Sequence, residues 1–165
     1  MSIKNKASIS EPEVDLTRAG IEHRATWMAL LFEETKKACT DKKAEEIFRT
    51  AIKKCGHMHG TGYKACCADP SNVNNFYKAF LSDNGKKNFE MDITEVDHDN
   101  LKIEFHYCPL VNAWKKLGIP DENLPILCDM AMDGDRGIAE QMGLKLNLDE
   151  TIAKGNPTCN LHFHK

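Results

Sequence analysis

The stretch Leu101–Leu110, LKIEFHYCPL, decides the fold of this chain because two structural periods meet in it. Apolar and polar residues alternate along its first part, which is the two-residue period of a strand with one buried face. The pair Cys108-Pro109 ends the alternation, and proline is favoured at the first position of a helix. The sequence therefore predicts a strand that runs from Leu101 to Cys108 and a helix that begins at Pro109.

The first half of the chain is predicted to be helical. Apolar residues recur there at intervals of three, four or seven, with charged residues elsewhere on the helical wheel. We expect residues 1–10 to be frayed and Asp41 to cap the second helix, whose end is obscured by Gly56, Gly60 and Gly62. The predicted helices cover residues 11–39, 41 to about 58, and 71–83, the last of them stopped by Asn84-Gly85.

The part after about Phe89 is predicted to form the sheet. There the spacing of apolar residues changes to every second residue, and Asp97–Asn100 has the composition of a turn. We therefore expect a β-hairpin whose second strand begins at Leu101. Two more strands are predicted at Leu144–Leu148 and Thr158–His164, after helices that begin at Pro109 and near Pro125.

The fold class that follows is α+β, in a single domain. N-terminal helices are expected to pack on one face of a mostly antiparallel sheet of about four strands, with a helical crossover after the hairpin. The length of 165 residues, 41% of them hydrophobic, suffices for one core. The expected domain covers residues 1–165, with a helical half at 11–85 and a β-hairpin, helices and two strands at 89–165.

Composition excludes several classes of function. Lys and Arg number 22 against 25 Asp and Glu, whereas proteins that bind nucleic acid through its phosphates usually carry a basic surplus or stripe. No apolar run approaches the roughly 20 residues of a membrane span. Seven cysteines without a recognisable secretory signal predict free thiols and a cytoplasmic location. The motifs of nucleotide-binding loops and of serine hydrolases are not found.

Three cysteines stand at junctions between predicted elements, and each is a candidate either for chemistry or for core packing. Cys108 lies at a helix start, where the helix dipole and free N–H groups favour a thiolate and lower the pKa of the thiol. Cys128 lies in the first turns of the next helix, and Cys159 begins the last strand. We expect the sheet to bring these three residues around one cavity.

Acidic and histidine residues supply further candidates. The spacing of Asp129 and Asp133 predicts that they share a helix face. They are candidates for a general base or for an anchor of a substrate amino group, and the alternative is a solvated helix start without a catalytic role. His162 shares a strand face with His164, which is a weak signal for a metal site. We therefore expect no metal or other cofactor, and a metal bound by cysteines or histidines is the alternative.

Three cysteine-containing segments follow one another in a familiar order. They are Cys108-Pro109-Leu110 after a strand, Leu127-Cys128-Asp129 in a helix, and Gly155 followed by Cys159 in the last strand. In this order they resemble the L-2-amino-thiazoline-4-carboxylic acid hydrolase family, over about residues 92–165 and with a compatible first helix. The last segment departs from the family pattern, because Asn160 stands where an acid usually follows the cysteine.

The resemblance implies hydrolysis of a small cyclic substrate such as 2-amino-thiazoline-4-carboxylate. Water adds to the ring carbon between nitrogen and sulfur, and ring opening gives an N-carbamoyl amino acid. The candidates for catalysis are Cys108, Cys128, Asp129, Cys159 and His162. The candidates for substrate binding are Arg24, as a clamp for the substrate carboxylate, His106 and Asp133.

A second resemblance leaves a function without catalysis open. The same topology resembles the small-molecule-binding domain of the 4-vinyl reductase type, in which a Cys-Pro strand end accompanies ligand sensing rather than turnover. In either case the expected partner is a small molecule, with no nucleic acid and no membrane. Self-association into a homo-oligomer stays open.

Overall fold

Helices fill the first half of the chain and cover one side of a sheet formed by the second half. The computed structural model describes residues 2–165, and Met1 lies outside them. The helices are α1 Pro12–Ala38, α2 Asp41–Cys66, α3 Val73–Phe80, α4 Asp83–Phe89, α5 Pro109–Lys116, α6 Leu124–Ala131 and α7 Asp133–Met142. The strands are β1 Met91–Val96, β2 Asn100–Phe105, β3 Lys145–Leu148 and β4 Cys159–His164, with short 3-10 helices at Asp121–Asn123 and Ile152–Lys154. The predicted α+β class is confirmed.

The four strands form one antiparallel sheet in the order β1-β2-β4-β3. β1 and β2 are the predicted hairpin, and β2 pairs on its other side with β4, where Leu101 lies opposite Phe163. Both of these side chains are buried against the helices, whereas Lys102 and His162, also paired, lie on the other face. The strand predicted to be central is therefore central, and the helices cover one face of the sheet.

The core lies between this sheet face and the helices. Trp114 of α5 is fully buried, and its indole N–H donates to the carbonyl of Ala25 in α1 at 3.0 Å. Phe76 of α3 packs on Phe163 of β4 with ring centres 5.3 Å apart. These contacts fix the helices on the sheet and set the position of the helix that begins at Pro109.

Glycines at the contact between α2 and α7 allow these helices to pack closely. A side chain at Gly56 would collide with the carbonyl of Gly134, and a Cβ at Gly137 would lie 2.5 Å from the carbonyl oxygen of Lys53. Glycine is required at these positions although it weakens an isolated helix. The glycines that obscured the end of the second helix thus belong to this contact, and α2 continues through them to Cys66.

Two helix boundaries differ from the prediction. Thr40, not Asp41, caps α2, because its side chain accepts a hydrogen bond from a backbone N–H of the first turn. Asn84-Gly85 does not stop a helix but lies in the first turn of α4, which Ser82 caps by accepting from the N–H of Gly85 at 3.0 Å. Helical structure therefore extends to Phe89.

The segment before α1 is anchored, so the prediction of a frayed end is wrong for the residues described. The N–H of the buried Ile3 donates to the carboxylate of Asp121 at 2.8 Å. The side-chain amide of Asn5 pairs with both backbone groups of Cys108, each at 2.9 Å, and Glu90 accepts two backbone N–H groups further along. The partners are distant in sequence, and a local pattern does not reveal them.

Candidate functional site

The structure brings the three predicted cysteines together in the core. Cys108 caps the start of α5, Cys128 lies in α6 and Cys159 begins β4, and each is at most 9% exposed. Their thiols are near enough to influence one another electrostatically. We call these three residues the cysteine cluster; they share one core, and the cavity expected between them stays a prediction.

Polar partners of the cysteine cluster come from the loop before β4. The N–H of Ile152 donates to the sulfur of Cys159 at 3.2 Å. The side chain of Thr151 also acts on Cys128, whose pKa it lowers against the larger effect of burial. Because Thr151 is itself buried, this loop closes the cluster on one side.

Burial decides the charge state of the cysteine cluster. It raises the pKa of Cys108, Cys128 and Cys159 to about 12 each. The backbone N–H groups of Val111 and Leu110 lower the pKa of Cys108, as a helix start should, but burial has the larger effect. Burial therefore argues against the predicted thiolate at Cys108 and favours neutral thiols throughout the cluster.

Two carboxylates, Asp129 of α6 and Asp133 of α7, belong to a second cluster, which consists of charged side chains. Asp129 is 2.6 Å from Arg136 and 2.7 Å from Arg49, and Asp133 is 2.6 Å and 2.9 Å from the same two arginines. Arg49 comes from α2 and Arg136 from α7, so each arginine bridges both acids. We call these four residues the charged cluster.

The charged cluster keeps Asp129 ionised. Burial alone raises the pKa of Asp129, but hydrogen bonds from Arg136 and Arg49 outweigh it and hold the pKa below its ordinary value. The side chain of Asp129 is 44% exposed and the two arginines are 30% exposed, so a small ligand can reach them. Asp133 is buried behind the arginines and anchors them.

The two predicted histidines do not join either cluster. Cys159 is buried on the core face of β4, and strand alternation places His162 on the opposite face. There its Nε2 lies 2.9 Å from the amide oxygen of Asn100, and burial lowers the pKa of His162. His106 is 2.9 Å from the carboxylate of Asp92 at the surface. The structure therefore does not place these histidines with the cysteines.

Arg24 also lies apart from the two clusters. It is exposed on α1, and it has no salt-bridge partner among residues 2–165. Its charge acts on Asp135 of α7, whose pKa burial raises to about 6 against the lowering effect of Arg24. The guanidinium of Arg24 is thus available to an anion.

Sequence reasoning missed Arg49, Arg136 and Thr151. Asp129 lies on α6 and Asp133 on α7, so the two acids do not share one helix face as predicted; Arg136 lies three residues after Asp133 on α7, and this spacing could have identified their pair. Arg49 and Thr151 come from other elements, and no local pattern connects them with α6. Within residues 2–165, no three or more His, Cys, Asp or Glu side chains are arranged to hold a metal ion.

Comparison with known proteins extends the resemblance to nearly the whole chain. The family model of L-2-amino-thiazoline-4-carboxylic acid hydrolase matches residues 18–163. The chain belongs to this family. The matched range contains both the cysteine cluster and the charged cluster. A comparison with curated proteins gives no significant match.

A solved structure shares the fold. It is a trafficking protein particle complex subunit 3 from Naegleria fowleri covalently bound to palmitic acid, with a TM-score of 0.57 and 12% sequence identity. The alignment covers 87% of this chain and 93% of that one. At this identity the likeness concerns the fold alone. None of the helices within residues 2–165 is both long enough and apolar enough to span a membrane.

Proposed function

We propose that this family member is a hydrolase that opens a small cyclic substrate with C–N and C–S bonds, such as 2-amino-thiazoline-4-carboxylate. The observation that carries the proposal is the family match over residues 18–163. The geometry supports a location for the reaction. α6 contributes Cys128 to the cysteine cluster and the next residue, Asp129, to the charged cluster, so neutral donors and charged groups meet along one helix.

The proposed reaction consumes one water molecule. Its oxygen bonds to the ring carbon between nitrogen and sulfur, and the bond from that carbon to sulfur breaks. One proton of the water goes to the ring nitrogen and the other to the released sulfur, which gives N-carbamoyl-cysteine from the named substrate. The protein has to orient the water, hold the substrate carboxylate and stabilise the charge that develops on sulfur.

The charged cluster supplies the first two requirements. The ionised, partly exposed carboxylate of Asp129 can accept a hydrogen bond from a water and orient it. Its lowered pKa makes it a weak base, so it positions the water rather than fully deprotonating it. The exposed edges of Arg49 and Arg136 suit a substrate carboxylate, whereas Arg24 has no role in this proposal because it lies apart from them.

The cysteine cluster is proposed to act through neutral thiols. With a pKa of about 12, about one thiol in 100,000 is ionised at pH 7, which disfavours attack by a thiolate. A neutral thiol still donates a hydrogen bond. Cys128 is therefore assigned to the leaving sulfur, with Cys108 and Cys159 packed beside it. His162 and His106 have no role in this proposal because of their positions away from the cluster.

Turnover of 2-amino-thiazoline-4-carboxylate tests the proposal through the thiol that the product releases. Cys128→Ala and Asp129→Asn are each expected to lower kcat by about tenfold or more, a typical loss for a group that acts on a proton or water. Cys55→Ala is the matched control, because Cys55 is an exposed cysteine on α2, and it should keep the wild-type rate. A wild-type protein that forms no product would overturn the hydrolase, and full activity in both variants would overturn the roles assigned to Cys128 and Asp129.

The neutral thiols also favour a second candidate, a small-molecule-binding module of the 4-vinyl-reductase type without catalysis. Buried, uncharged side chains with a few polar partners suit ligand binding as well as turnover. Stoichiometric binding of the amino-thiazoline by the wild-type protein, with no product, would support this candidate.

A further inference from the structure

The outward side of α1 carries a row of apolar side chains. Leu16 is 77% exposed and Trp27 61%, and Leu30 and Leu31 are each more than half exposed. Their spacing places them on one side of the helix together with Gly20. We call these five residues the α1 row. The opposite side of α1 is buried in the core.

The exposed apolar area of the α1 row is large enough for a protein–protein interface. Its large side chains expose on the order of 500 Å² of apolar surface, about as much as the largest patch on a typical monomer. Two such rows facing each other would bury about 1,000 Å², and flanking residues would bring the total into the range of roughly 1,200–2,000 Å² that stable complexes bury. A second copy of α1 therefore supplies enough area to cover the row.

Four of the five residues in the α1 row are placed symmetrically. Leu16 and Leu31 lie equally far from the midpoint of residues 23–24, and so do Gly20 and Trp27. When two identical helices pack antiparallel about that midpoint, each Trp27 faces Gly20 of the other copy and each Leu16 faces Leu31, while Leu30 faces Thr17. The row is therefore self-complementary in the way that a two-fold interface uses.

Gly20 provides the recess that this packing needs. A Cβ added at Gly20 would meet no atom within 4 Å, so the space above the glycine is open. Trp27, about two turns further along the same side of the helix, makes an edge contact with His23, with ring centres 5.4 Å apart. A large aromatic side chain and a glycine recess on the same face allow two helices to approach closely.

We propose that the α1 row forms a symmetric, antiparallel homodimer interface in which each Trp27 packs over Gly20 of the other copy. This interface does not depend on the proposed reaction. It identifies the surface through which the chain self-associates, with a second copy of this chain as the occupant.

Sedimentation velocity over micromolar concentrations tests the dimer. The wild-type chain should show twice its mass of 18.6 kDa. Trp27→Glu and Gly20→Leu should each raise the Kd of the dimer by about thirtyfold or more, because one change removes the central aromatic side chain and the other fills its recess. Met58→Glu is the matched control, since Met58 is 74% exposed on α2, and it should leave Kd unchanged.

Quenching of tryptophan fluorescence gives a second readout. The chain has two tryptophans, and Trp114 is fully buried, so iodide reports on Trp27. Quenching should fall severalfold as the concentration rises through Kd. A wild-type chain that stays monomeric, a dimer that survives both variants, or quenching that ignores dimerisation would overturn the proposal. Binding of the monomer to lipid vesicles through Trp27 would assign the row to another occupant and would also overturn it.

Discussion

Cys128 and Asp129 are adjacent in the sequence, yet they belong to clusters with opposite electrostatics. The cysteine cluster is packed in the core, and burial raises the pKa of its thiols to about 12. The charged cluster is partly open, and hydrogen bonds from two arginines outweigh burial and keep the pKa of Asp129 low. The difference shows that a charge persists on α6 only where arginines compensate the cost of removing it from water.

Separating α2 from α7 would break the charged cluster and spare the cysteine cluster, because α2 contributes only Arg49. Gly56→Ala sets a methyl group against the carbonyl of Gly134, and we expect it to lower the free energy of unfolding by about 3 kcal/mol. Gly62→Ala is the control on the same helix, with open space around it, and should gain up to about 1 kcal/mol. Urea unfolding measures both, and equal small effects would contradict the close helix contact.

Removing one arginine should expose how much the charged cluster depends on pairing. Arg136→Met leaves the buried Asp133 with a single partner, and we expect a loss of about 2 kcal/mol, less than for a fully buried pair because Arg136 is partly exposed. Lys37→Met breaks the exposed pair with Glu34 and should leave the stability almost unchanged. Similar losses in the two variants would mean that the charged cluster is an ordinary surface feature.

Alkaline pH should destabilise the cysteine cluster. The folded pKa of about 12 lies above the value of roughly 8.5 for a thiol in an unfolded chain, so the unfolded state ionises first. The contribution of each thiol is present in full below about pH 8.5 and is lost at about 1.4 kcal/mol per pH unit as the pH rises toward 12. Stability should therefore decline less steeply above pH 8.5 in Cys159→Ala than in the wild type. Cys55→Ala should leave the slope unchanged.

Acidic pH should destabilise the charged cluster. The folded pKa of Asp129 is lowered, so its contribution is present above the unfolded value of about 4 and is lost as the pH falls through the folded value. Asp129→Asn should cost about 0.5 kcal/mol at pH 7, a small figure because the group is nearly half exposed, and the cost should shrink as the pH falls below the unfolded value. Unfolding curves across this range measure it, and a cost independent of pH would argue against an ionic role.

Much of the fold could be predicted because the sheet is encoded locally. The alternation from Leu101 to Phe105 and the stop at Cys108-Pro109 are visible in ten residues, and both appear in the structure as β2 and the start of α5. The anchored N-terminus could not be predicted, because Asn5 gains its partners from residues about a hundred positions away. The role of the glycines in α2 could not be predicted either, because it depends on their contact with α7.

The sequence indicated which residues would form the candidate site but not the charge state of its cysteines. The places of the three cysteines at the ends of elements indicated that they would meet. The helix start at Cys108 is a local signal and favours a thiolate, whereas burial depends on the packing of the whole core and has the larger effect. The two-residue period of a strand is enough to separate His162 from Cys159, because the two are three residues apart on β4 and so point to opposite faces.

Alkylation of the folded protein by iodoacetamide at pH 8, mapped by peptide mass spectrometry, tests most directly whether the cysteine cluster consists of neutral thiols. Cys55 and Cys66 are exposed and provide the internal reference. They should be modified at least about a hundredfold faster than the cluster, because the thiolate is the reactive form and burial suppresses it. Modification of Cys108, Cys128 or Cys159 as fast as Cys55 would reveal a reactive thiolate and contradict the neutral cluster.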